Sequence, residues 1–154
     1  MAKRILVAVD GTTAPDELLS LVSDAARGGG ATVRLLHVAP MPESIVIDER
    51  IIAYSDQEEY RVRVEAMDML RGLELHVAAD VDSAVRFGDP ADEILREAEE
   101  FGADLIAMPA TCRPCVRRML FGGVAEKVAH RAPMAVLLLR PARSCARRRS
   151  SART

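Results

Sequence analysis

Short unbroken apolar runs alternate along this chain with stretches in which apolar residues recur every three or four positions. The run "RILVAVD", closed by Asp10 and Gly11, has the pattern of a strand covered on both faces. Pro15 opens a segment in which Leu18, Leu19, Val22, Ala25 and Ala26 share helical spacing, and "RGGG" ends it with residues that reach left-handed conformations. "ATVRLLHVAP" predicts a second strand. Pro40 and Pro42 then break the chain, and a long charged helix is expected from about Asp48 to Arg71. Leu75 to Phe87 predicts a third, peripheral strand with Val81, Ser83, Val85 and Phe87 on one side.

The sharpest boundary is the next one. Asp89 is suited to cap a helix, Pro90 to open it, and Ala91, Ile94, Leu95, Ala98 and Phe101 form one apolar stripe that stops at Gly102. "ADLIAMP" predicts a strand, a short helix is expected over about Val124 to Arg131 with Val124 and Val128 inward, and "MAVLLLR" predicts a last strand. Strict alternation of strands and helices requires crossover connections, so the fold class is an open parallel α/β sheet with helices on both faces. Ligands of such sheets bind beyond the carboxyl ends of the strands where strand order reverses. Asp10-Gly11, His37-Val38 and the stretch from Met108 to Val124 are therefore expected to converge on one crevice.

Composition narrows the class. The chain has 154 residues, 49% of them apolar, enough for one core, and a single domain over 1–140 is expected with a tail over 141–154. No apolar run approaches the roughly 20 residues of a membrane helix, so no membrane insertion and a cytoplasmic location are expected. The net charge is −2, yet five arginines and no acid follow Arg140, which leaves an acidic body and a basic tail. Rich in serine, alanine and arginine, the tail cannot bury enough surface to order itself. It reads either as a solvated extension or as an electrostatic arm for nucleic acid or an anionic surface.

"RILVAVDG", "LLHVAP", "GDPADEILREAEEFGADLIAM" and "GGVAEKVAHRAPMAVLLLRP" together resemble the universal stress protein family, and the resemblance runs from Arg4 to Pro141. It implies a Rossmann-like sheet of five parallel strands in order 3-2-1-4-5, and a small cytoplasmic dimer with a regulatory or protective role in stress response. ATP-binding members carry a loop of the form Gly-x-x-Gly, nine residues, then Gly-Ser or Gly-Thr. On this chain those positions hold Pro109, Cys112, Gly122 and Gly123. A phosphate cradle needs main-chain N–H groups close to the anion, which glycine permits. Pro109 has no N–H, Cys112 adds a Cβ, and Gly123 lacks the hydroxyl. Tight ATP binding in the family's manner is thus not expected, although ATP or another adenine nucleotide remains the implied ligand class. Asp10 matches the family's nucleotide-contacting acid, with Gly11 beside it, and Val38 matches the residue lining the adenine pocket. Met108, Gly122, Gly123 and Val124 complete the candidate nucleotide set, the last three placing free amides at a helix start. A dimer through the last strand, 134–139, agrees with the family, because an apolar strand at a sheet edge invites pairing.

Three cysteines, one of them in the tail, give no disulfide framework. "CRPC" resembles the Cys-x-Pro-Cys of thiol oxidoreductases, and Cys112 and Cys115 beside arginines form an alternative redox or sensing site. In those enzymes the motif follows an early strand, whereas here it follows the fourth. Structural zinc wants four ligands, and only Cys145 and scattered histidines join the pair, so no metal site is expected. His37, His76 and His130 lie far apart and no serine has an evident base beside it, so no catalytic site is expected and the protein is read as a binding module, not an enzyme.

Overall fold

The computed structural model describes residues 4–9, 16–42, 45–47, 50–53, 55–110 and 123–140. In chain order the elements are β1 (Arg4–Val9), α1 (Asp16–Gly29), β2 (Thr32–Ala39), β3 (Ile45–Ile47), β4 (Arg50–Ala53), α2 (Ser55–Glu74), β5 (Asp80–Phe87), α3 (Pro90–Phe101), β6 (Leu105–Pro109), α4 (Val124–Arg131) and β7 (Ala135–Leu139). The run that is apolar without interruption becomes the central strand: β1 is buried from Ile5 to Val9 and pairs in parallel with β2 on one side and β6 on the other. The main sheet has the order β5-β2-β1-β6-β7, all parallel, which is the expected 3-2-1-4-5 once β3 and β4 are set aside.

Side chains alternate across the sheet, so each face builds its own apolar cluster. Ile5, Val7, Val33 and Leu35 meet Leu18, Leu19 and Val22 of α1 and Leu70 of α2. On the other face Leu6, Leu36, Ile106 and Met108 meet Ile94, Ala98 and Phe101 of α3 and Val128 of α4. Each fully buried branched side chain contributes about 1.5–3 kcal/mol, so the two clusters supply most of what holds the layers together.

α3 begins and ends as its sequence dictates. The Asp89 carboxylate accepts a hydrogen bond from the Asp92 N–H at 3.1 Å, Pro90 takes the first turn, and Gly102 closes the helix at φ 69° with its N–H turned back to Ala98 and Glu99. In α1 the stripe differs by one residue from the sequence reading. Ala25 is exposed and Ser23 is buried, its hydroxyl donating to the Leu19 carbonyl at 2.7 Å and accepting from the Ala78 N–H at 3.3 Å. A satisfied hydroxyl can occupy a core position that apolar periodicity alone assigns elsewhere.

The expected helix from Asp48 to Arg71 requires correction. An antiparallel hairpin of β3 and β4 comes first, and α2 runs from Ser55 to Glu74. The β-branched residues of "IVI" and "RII" flank the two residues Asp48 and Glu49, a spacing that favours a tight hairpin over the start of a helix.

Candidate functional site

β1 sends its chain through α1 to β2 on one side, while β6 lies on its other side, so strand order reverses between β1 and β6. This is where open α/β sheets bind ligands. Val9, the last residue of β1, lies level with His37 of β2, and Met108 and Pro109 end β6 alongside. The sheet therefore brings Val38, Met108 and Pro109 to one end of the molecule. Asp10, Gly11, Gly122 and the alternative pair Cys112 and Cys115 lie outside the described residues, as does the tail over 141–154.

The described members differ in what they offer a ligand. Val38 is half-buried against the α3 and α4 cluster. Met108 is only 5% exposed and its side chain belongs to that cluster, so toward a crevice it can present main chain alone. Pro109 ends β6 opposite Leu139, and the next N–H, that of Ala110, already donates to the Leu139 carbonyl at 2.8 Å. Neither residue can turn a main-chain N–H toward an anion in the way a glycine loop does.

Gly123 stands at the N-cap of α4 with φ 82° and ψ −114°, and no side chain caps the helix. Among the described residues nothing lies within 4 Å of where its Cβ would be, but the backbone conformation is one that only glycine adopts easily. Val124 is half-buried behind it, and Glu126 puts a carboxylate in the same first turn, where it opposes an approaching phosphate.

Two features here were not anticipated from sequence. The first is His37, whose Nδ1 lies 3.2 Å from the Val9 carbonyl oxygen. The second is an ion-pair cluster between the β2–β5 side of the sheet and α3. Arg34 donates twice to Asp82, from Nε at 2.8 Å and Nη2 at 2.6 Å, and once to Glu97 at 2.9 Å. Arg86 reaches Glu93 at 3.2 Å and also bonds Glu97 and Glu100. The Asp82 bonds push the Arg34 guanidinium further up from its ordinary range, against the opposing effect of burial, with Glu97 adding to the rise. For Arg86 burial works downward most strongly, and the bonds to Glu97 and Glu93 outweigh it to leave the group raised. Both cations are permanent. The signal was legible: Glu93, Glu97 and Glu100 share one face of α3, and Asp82 and Arg86 share one face of β5.

Among the described residues no group of His, Cys, Asp and Glu could hold a metal ion, and no helix is long and apolar enough to cross a membrane. A parallel sheet that reverses strand order between β1 and β6, with helices on both faces, defines a Rossmann-like α/β protein. The model of the Universal stress protein family matches residues 1–140, and a universal stress protein of Methanothermobacter thermautotrophicus is 34% identical over 143 residues, covering 91% of this chain and 97% of that one. The chain belongs to the universal stress protein family, and is a stress-response module of that family. In structure it is similar to the hypothetical protein MJ0577, with TM-score 0.76 and 24% identity over 94% of this chain and 99% of that one. It is also similar to the universal stress protein from Archaeoglobus fulgidus in complex with dAMP, with TM-score 0.56 and 24% identity over 88% and 96%. These relatives do not favour the redox reading of Cys112 and Cys115.

Proposed function

We propose that this module acts in the cytoplasm by binding an adenine nucleotide, without catalysing a reaction, and that its crevice holds base and sugar while leaving a triphosphate ungripped. The observation that carries this reading is the pair of positions bounding the phosphate loop. Pro109 has no N–H where the family's loop has glycine, and Gly123 has neither a hydroxyl nor a backbone that accepts one readily. The base side keeps Val38 at the strand end, and a relative of the same fold holds dAMP, a nucleotide with a single phosphate. Titration with AMP and with ATP in Mg²⁺ tests this. The two should bind within about fivefold of each other, since neither Pro109 nor Gly123 offers the added phosphates the donor that the family's loop has there; ATP binding about 100-fold tighter than AMP would contradict it.

We further propose that the active form is a dimer joined at β7. The two edges of the sheet are unlike. β5 carries Asp80, Asp82 and Arg86, charges of the kind that discourage edge pairing, whereas β7 is apolar from Ala135 to Leu139 and none of these residues is fully buried. Sedimentation velocity at tens of micromolar should show a dimer, and Ala135→Lys, at the exposed start of the strand, should weaken it at least about tenfold. A natural chain that sediments as a monomer would remove this part of the reading.

A further inference from the structure

His37 sits on β2 one residue before Val38, and its parallel register partner is Val9, one residue before Asp10. Along each strand, alternate residues face opposite sides of the sheet. Val9 and Leu35 belong to the α1 and α2 face, Val38 to the α3 and α4 face, so His37 lies behind the sheet relative to Val38. From there its half-buried ring reaches the Val9 carbonyl oxygen at 3.2 Å. A carbonyl only accepts, so the bond places a ring proton on Nδ1.

We infer that His37 is a positioning residue for the nucleotide site: its Nδ1–H holds the Val9 carbonyl and ties the carboxyl end of β1 to that of β2. The bond fixes how far the carboxyl end of β1 stands from Val38. A side chain that bonded nucleotide directly would have to face the crevice, and this one faces the opposite side of the sheet. The inference rests on the nucleotide-binding reading above and assigns within it a residue that touches no ligand.

The test uses the full chain and AMP as the probe. An asparagine amide can present N–H close to where the imidazole Nδ1 stands, so His37→Asn should bind AMP within about threefold of the natural protein, while His37→Ala loses at least about tenfold. Ser23→Ala is the control. Its hydroxyl ties α1 to the segment before β5 at the far end of the sheet, so it should lower the melting temperature and leave AMP affinity unchanged. Nitrogen chemical shifts of the His37 ring should report the Nδ1–H form in the free protein. Equal AMP affinity in His37→Ala, or a ring protonated on Nε2 alone, overturns the inference while the nucleotide reading stands. Absence of AMP binding by the natural protein overturns both.

Discussion

Replacing Pro109 and Cys112 together by glycine should raise the affinity for ATP by roughly 10² to 10⁴, with much less effect on AMP. The argument is one of donors. Pro109→Gly returns a missing main-chain N–H and Cys112→Gly removes the Cβ beside one already there, so that each can approach a phosphate oxygen, and a charge-assisted bond of that kind contributes about 1.5–3 kcal/mol. Two such bonds together give roughly 3–6 kcal/mol, which sets the range. Gly123 is left unchanged in this variant, because a serine there would have to adopt φ 82° or move the start of α4. Competition titration with ATP and AMP reads the result. A gain below about tenfold for ATP, with AMP binding intact, would mean that the loop sequence is not what limits triphosphate binding.

Glu97→Ala should lower unfolding stability by about 3 kcal/mol. The Glu97 side chain is only 7% exposed and takes a hydrogen bond from each of two arginines, so its removal leaves Arg34 and Arg86 half-buried with one carboxylate fewer. Neither arginine can shed its charge to relieve the loss, since a guanidinium stays protonated in proteins. Asp82, Glu93 and Glu100 remain, which keeps the cost at the lower end of that for breaking a buried pair. For a chain of this size the melting temperature should fall by about 6–12 °C. Arg61→Ala, which breaks the exposed pairs with Glu58 and Glu65, should leave the melting temperature within about 2 °C of the natural one. A Glu97→Ala protein that melts within about 2 °C of the natural one would show that the cluster contributes little to stability.

Most of the sheet was legible because its signals are local. Continuous apolar runs mark strands with both faces covered, and β1, β2 and β6 follow them closely; Asp89, Pro90 and Gly102 mark α3 to the residue. The hairpin at 45–53 was not, because short runs of isoleucine and valine beside charges fit either period and only pairing decides between them. The site was legible as chemistry and not as geometry. Loss of the loop glycines is written in the sequence, but the positive φ of Gly123, the interior position of Met108 and the bond from His37 to Val9 depend on where strands and helices stop. The Arg34–Glu97–Arg86 cluster joins residues of two strands and a helix, and their adjacency follows only once β5 pairs with β2.

Calorimetric titration of the natural chain with ATP and Mg²⁺ is the most direct measurement. With Pro109 and Cys112 in place it should give no saturable one-to-one isotherm tighter than about 100 µM. A stoichiometric isotherm in the low micromolar range would contradict the account, because it would require triphosphate contacts that these residues do not supply.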